Sequence, residues 1–164
     1  VFNHVGIPFW ALQDVKNNGE KSVYSDWFNI ISYDNPDTPE NEFDYEGWYG
    51  IKDLAEFKEN IDGPLPEIKN HFFNIVNRWM DPNNDGDPSD GIDGWRLDVA
   101  ELVNINFWKE FNGWVKEINP DAYINGEVWW EDHHNNKMFN AAPWIQNDVF
   151  NSVCLLYTSP SPRD

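Results

Sequence analysis

Apolar side chains recur at helical spacing twice along this chain. In residues 64–80, Ile68, Phe72, Ile75, Val76 and Trp79 share one helix face, and Pro66 suits a first turn. The period returns at Phe107, Phe111, Trp114, Val115 and Ile118, where Asn119-Pro120 ends it. Residues 92–99 and 122–129 read as strands, and residues 144–153 as either a third helix or the next connection. Val1-Phe2 reads as the end of a strand. Residues 81–90 (DPNNDGDPSD) and 132–140 read as polar loops. Residues 5–50 hold no sustained period and carry the turn signals Asn17-Asn18-Gly19, Asp34-Asn35-Pro36 and Asp37-Thr38-Pro39. So long an irregular stretch inside a compact domain reads as a lid or inserted subdomain. Trp79 and Trp95 fit buried positions and His71 an exposed one.

Strand, helix, strand in this order is a βαβ unit, and the crossover from Asp98 to Tyr123 is long enough for parallel pairing. The alternation belongs to an α/β barrel or a doubly wound sheet. No Gly-rich phosphate motif follows either strand, which counts against a nucleotide-binding sheet. A complete barrel needs about 250 residues, so the fold expected is α/β, a fragment of a (β/α)8 TIM barrel. Residues 1–153 would form the partial barrel domain, with 5–50 as an irregular inserted subdomain after its third strand.

Charge narrows the function. The 164 residues carry 29 acidic and 11 basic side chains, a net charge of -18. Nucleic acid is thereby disfavoured as a partner, because binding it depends on Lys and Arg neutralising phosphates. An anionic membrane surface is disfavoured for the same reason, and no apolar run approaches the ~18 residues of a spanning helix. The single Cys154 excludes an internal disulfide framework and a Cys-based zinc site. Ten Trp among many Asn and Asp suit neutral polyhydroxylated ligands, with rings to stack on sugar faces and polar groups to bond hydroxyls.

The chemistry gathers at two strand ends. In Gly94-Trp95-Arg96-Leu97-Asp98, alternation points Arg96 and Asp98 the same way and Trp95 and Leu97 the other. Active sites of parallel α/β folds lie at the carboxyl ends of the strands. A guanidinium beside Asp98 favours the ionised carboxylate, the state a nucleophile requires. The next strand ends Asn125-Gly126-Glu127-Val128-Trp129-Trp130 and brings Glu127 to the same rim, where aromatic surface would desolvate it. Two such carboxylates are what glycoside cleavage uses. The competing reading is a buried Arg–Asp pair and a rim glutamate with structural duties only.

Val1-Phe2-Asn3-His4, Gly94-Trp95-Arg96-Leu97-Asp98 and Gly126-Glu127-Val128-Trp129 resemble the first three signature regions of glycoside hydrolase family 13, the α-amylase family, in the family's order. With Trp48-Tyr49-Gly50 and the Asp-rich loop, residues 1–153 resemble its cyclomaltodextrinase and neopullulanase-like branch. The resemblance implies a hydrolase of maltodextrin, cyclodextrin or pullulan-type α-glucans that retains configuration by double displacement. It implies Asp98 as nucleophile, Glu127 as acid–base and Arg96 as the group that holds Asp98 ionised. His4 would bond sugar hydroxyls in the subsite of the cleaved residue. A family transglycosylase, with a sugar hydroxyl in place of water, and a non-catalytic sugar- or calcium-binding module are the alternatives.

The family pattern also has an Asp before the first motif and a fourth motif supplying a His and a transition-state-stabilising Asp. Neither is in this chain, so the segment alone is expected to be inactive. Where many α-amylases have a Lys-His pair after the nucleophile, this chain has Glu101 and Leu102, which puts the usual calcium site, with its Asn3 ligand, in question. Leu54-Ala55-Glu56-Phe57 matches a short family motif with Ala55 where Pro is usual.

Several weaker signals surround this core. Trp48, Tyr49, Trp129 and Trp130 are candidate sugar-stacking platforms, and His133 a contact near the outgoing subsites. His133 and His134 are adjacent on an extended segment and point apart, against a shared metal. Asp81, Asn83, Asp85 and Asp87 repeat the oxygen-ligand spacing of a calcium loop, with Gly86 at the sharp turn and Ile92 where a bidentate Glu would stand. Structural Ca2+ is therefore the one cofactor expected, with a solvated turn as the alternative. Residues 155–164 (LLYTSPSPRD) resemble translated sequencing adaptor, and 154–164 is expected to be an artefactual or disordered tail.

Overall fold

The computed structural model describes residues 2–132 and 134–154, and the chain divides into two compact units, one ending at His71 and one beginning at Phe72. The first unit is built from short antiparallel pairs. β1 (His4–Gly6) pairs with β4 (Leu54–Glu56), β2 (Ile30–Ser32) with β3 (Asp44–Tyr45), and β5 (Glu59–Asn60) with β6 (Gly63–Pro64). The first strand is thus His4–Gly6, later than the Val1-Phe2 expected; Val1 lies outside the described residues.

This unit also contains a helix, α1 (Trp10–Asn18), inside the stretch expected to be irregular. Only Ala11, Leu12 and Val15 carry its buried face, and no side chain caps its first turn, so its sequence signal is weak. Rings hold the unit together. Phe28 stacks on Phe57 at 5.6 Å, and Phe9 meets Phe57 edge-on at 5.8 Å. His71 sits 5.4–5.8 Å from the rings of Phe9, Trp10 and Trp27, half-buried where the helical period had set it outside.

α2 (Pro66–Met80) runs from the first unit into the second. Its buried stripe is Ile68, Phe72, Val76 and Met80. Trp79 falls one position off that stripe and is 58% exposed, a correction to its expected burial: Met80 takes the core place.

The second unit is the expected βαβ. β7 (Gly94–Leu97) leads through α3 (Ile105–Ile118) to β8 (Tyr123–Glu127). Asn104 caps α3 by accepting the Asn106 N–H, and Phe107, Trp108, Phe111 and Val115 bury its inner face. β9 (Trp130–Asp132) and β10 (Lys137–Met138) form a small antiparallel pair in the segment expected to be a loop. Residues 144–151 are turns leading to β11 (Ser152–Cys154), so they form a connection rather than a helix. The parallel sheet has the order β11-β8-β7, with β8 central. Cys154, grouped with the tail in the sequence, ends β11 opposite Glu127, while residues 155–164 lie outside the described residues. No helix among the described residues is long and apolar enough to cross a membrane.

Candidate active site

Parallel pairing of β7 with β8 sets Arg96 opposite Asn125 and Leu97 opposite Gly126. Asp98 and Glu127 are the next residues on these adjacent strands, so the ladder delivers both carboxylates to one carboxyl edge. The backbone at 126 has to be bare: a Cβ there would lie 2.3 Å from the buried Phe150 ring.

Arg96 shares a side with Asp98, as strand alternation requires. Its Nη1 donates to Asp98 Oδ1 and its Nη2 pairs with Glu127 Oε1. The sequence assigned Arg96 to Asp98 alone; the planar fork of donors reaches both. Burial pulls the Arg96 pKa down, but the Asp98 hydrogen bond and the Glu127 and Asp98 charges outweigh it and raise the value, leaving a fixed cation. The two carboxylates differ in access. The Glu127 side chain is 2% exposed and that of Asp98 29%. Glu127 is as buried as the sequence implied, with polar partners added to the aromatic surface: its Oε2 accepts the Val99 N–H at 2.9 Å.

Two neighbours were missed as site residues. Val99 leaves β7 in the left-handed region (φ 42°, ψ 45°), where a β-branched residue is strained. Glu101 follows on the 3-10 turn Ala100–Leu102 and accepts the Trp129 N–H on Oε1 at 3.1 Å. Burial, foremost, and the Glu127 and Asp98 charges raise the Glu101 pKa against the pull of backbone hydrogen bonds. The sequence marks Glu101 only as standing where many α-amylases have the Lys of a Lys-His pair; its partner, Trp129, lies on the chain leaving β8.

In the first unit, His4 is buried and its Nδ1 bonds Asn3 Oδ1 at 3.0 Å, so Asn3, the family's calcium ligand, is engaged with His4 here. The His4 ring lies 5.4 Å from that of Trp48, and Trp48 meets Tyr49 edge-on at 4.9 Å. Tyr49 takes a positive φ of 49° and is 75% exposed. The structure thus groups His4, Trp48 and Tyr49 in one unit, and Arg96, Asp98 and Glu127, with Trp129 on Glu101, in the other. Trp130 begins β9, half-buried. His133 lies outside the described residues.

The Asp-rich loop turns sharply, with Gly86 at φ 83°. Its oxygens are of the hard type that Ca2+ takes, and they accept hydrogen bonds within the loop. Asp81 receives the Asp85 and Gly86 N–H groups, and Asn83 and Asp85 receive those of Asp85 and Asp87. Among the described residues no three His, Cys, Asp or Glu cluster as a metal cage. An ion there would have to displace these bonds.

Comparison with known proteins follows the same motifs. Residues 1–154 match the family model described as the α-amylase catalytic domain. The chain is 39% identical over 153 residues to neopullulanase 2 of Thermoactinomyces vulgaris, and 37% identical over 153 residues to a cyclomaltodextrinase of a Bacillus species. Those alignments take 93% of this chain but 22% and 24% of the relatives, so the chain spans less than a quarter of their length. Among solved structures it is similar to cyclic α-maltosyl-(1→6)-maltose hydrolase from Arthrobacter globiformis in complex with maltose. The TM-score is 0.71 at 31% identity, covering 93% of this chain and 30% of that one. A debranching enzyme from Nostoc punctiforme gives 0.68 at 36% identity, covering 94% and 28%.

Proposed function

This chain belongs to the α-amylase catalytic-domain family, and on that premise we propose that it is the slice of a (β/α)8 barrel carrying the nucleophile and the acid–base of a retaining α-glucan hydrolase. Asp98 attacks the anomeric carbon while Glu127 gives its proton to the departing glycosidic oxygen. The β-glycosyl ester on Asp98 then yields to a water whose proton returns to Glu127. The observation that carries the reading is the single Arg96 guanidinium bridging both carboxylates at adjacent parallel strand ends. Retention is what the family resemblance implies, and its geometric mark is a carboxyl separation of ~5–5.5 Å rather than the ~6.5–9.5 Å of inverting enzymes.

The substrate class is maltodextrin, cyclodextrin or pullulan. The names of the relatives and the maltose complex of the similar hydrolase support it. His4 bonds sugar hydroxyls, and the Trp48, Tyr49, Trp129 and Trp130 faces, with His133, line subsites. In the full-length protein, Asp98→Asn and Glu127→Gln each lower kcat on these glucans by about 10²–10⁴-fold or more. Near-normal turnover in either variant ends the assignment.

The calcium reading of residues 81–87 stands as a proposal with its own test. Calorimetric titration of the full-length protein with Ca2+ gives a binding heat that Asp85→Asn removes. An unchanged heat in the variant assigns the loop to a solvated turn.

A further inference from the structure

Two hydrogen bonds cross between the ends of β7 and β8 in opposite senses. Val99, on the chain leaving β7, donates its N–H to Glu127 at the end of β8. Trp129, on the chain leaving β8, donates its N–H to Glu101 on the turn after β7. Each strand end thus supplies a carboxylate to the backbone of the other. The β7–β8 pairing runs only to Leu97 opposite Gly126, so these side-chain bonds continue the connection where the ladder stops.

Both anchors are braced. The Trp108 indole N–H donates to Ala100 O at 2.7 Å and fixes the turn that carries Glu101. Trp129 O accepts the Phe139 N–H at 3.0 Å, so the N–H and the carbonyl of Trp129 are both held. Val99 keeps its left-handed conformation to aim the N–H at Glu127, a geometry that persists only when its surroundings enforce it. Glu101 Oε2 is buried and lacks a hydrogen-bond partner. Leaving a buried oxygen unmatched is costly, and a side chain that merely filled space there would be apolar.

We propose that Glu101 is a positioning residue for the Asp98–Glu127 pair. By taking the Trp129 N–H it clamps the segment after β8 to the turn after β7, and so keeps Glu127 bonded to Val99 and beside Asp98. The inference rests on the glycosidase reading of this site. As a positioning residue Glu101 acts through the backbone of Trp129.

Two substitutions of similar length separate the roles. Glu101→Met removes the acceptor, whereas Glu101→Gln keeps a carbonyl oxygen for the Trp129 N–H. In the full-length protein, Glu101→Met lowers kcat by about 10²-fold with KM within about threefold, the effect of misplacing a reacting group by about 1 Å. Glu101→Gln restores kcat to within about threefold of the wild type, because the acceptor is retained. A role in stability alone lowers the melting temperature of both variants and leaves kcat per folded molecule unchanged; that result overturns the proposal. So does a Gln variant as slow as the Met variant. If Glu101→Met does not fold, Glu101→Asn, whose carbonyl falls one methylene short, takes its place with the same expectations. Failure of the glycosidase reading looks different: Asp98→Asn and Glu127→Gln then turn over like the wild type, and the inference falls with it. Failure of this inference alone leaves those two variants inactive and Glu101→Met as fast as the wild type.

Discussion

The unit ending at His71 and the unit beginning at Phe72 use similar aromatic content in opposite ways. In the first, no strand among the described residues exceeds three residues, and the path of the chain is set by rings such as Phe9, Phe28 and Phe57 packed on one another. In the second, a parallel ladder and one amphipathic helix set the path, and the rings of Phe107, Trp108 and Phe111 fill the space behind it. A ladder places side chains by register, and Asp98 and Glu127 stand just past the end of the β7–β8 pairing. Ring packing tolerates irregular backbone, and it leaves Tyr49, a proposed sugar contact, exposed.

The strongest break in this comparison comes from the two cores. Trp108, fully buried, ties α3 to the turn after β7, and Trp108→Ala costs about 3–5 kcal/mol with loss of the second unit's structure. Phe28→Ala should cost a similar ~3–5 kcal/mol in the first unit if rings alone define it. Denaturant midpoints of the full-length variants measure both. A Phe28→Ala cost well below that of Trp108→Ala would mean that the short strands, not the rings, hold the first unit.

Two glycines sharpen the contrast at smaller cost. An alanine Cβ at Gly126 meets the Phe150 ring at 2.3 Å, and one at Gly47 meets Ile51 O at 2.1 Å. Gly126→Ala destabilises by about 1–3 kcal/mol and displaces Glu127, so kcat falls. Gly47→Ala instead disturbs the turn carrying Trp48 and Tyr49, so KM for glucan rises while kcat changes little. Steady-state kinetics that showed the reverse split would undo the division between ladder and recognition surface.

The mildest test is pH. Burial among rings holds His71 below the ordinary 6.5, so the folded chain binds that proton less readily than the unfolded chain. Its contribution to stability is fully present above 6.5 and is lost as pH falls through the depressed value. Glu101 has the opposite sign: burial raises it above 4.5, so its contribution is present below 4.5 and is lost as pH rises through the raised value. Lowering pH from about 7 to 5 should therefore speed hydrogen exchange, relative to the intrinsic rate at each pH, around His71 more than around Glu101. His71→Phe removes that acceleration and separates it from Glu56, whose own pKa burial raises. Equal acceleration with and without His71 would assign the acid sensitivity elsewhere.

Legibility followed the length and regularity of each element. α2 and α3 were readable because four or more apolar residues repeat at helical spacing, and the shared side of Arg96 and Asp98 because a strand alternates. α1 escaped because three buried residues without a cap make too short a pattern. Trp79 and His71 were misjudged because each lies at the margin of its helix face, where the neighbouring element decides burial. The β9–β10 pair was hidden in a segment whose polarity reads as loop.

By itself, the sequence determined the helices α2 and α3, the strands β7 and β8, and that Asp98 and Glu127 stand at the ends of those successive strands, because those properties depend on residues a few positions apart. Only the tertiary structure decided that Arg96 spans both carboxylates, that Val99 adopts a left-handed turn to reach Glu127, and that Glu101 takes the Trp129 N–H. These bonds join β7 and its turn to the end of β8, Val99 and Glu101 each reaching 28 residues along the chain. They exist because parallel pairing sets Leu97 opposite Gly126. That register is a property of two strands together, and neither strand encodes it alone.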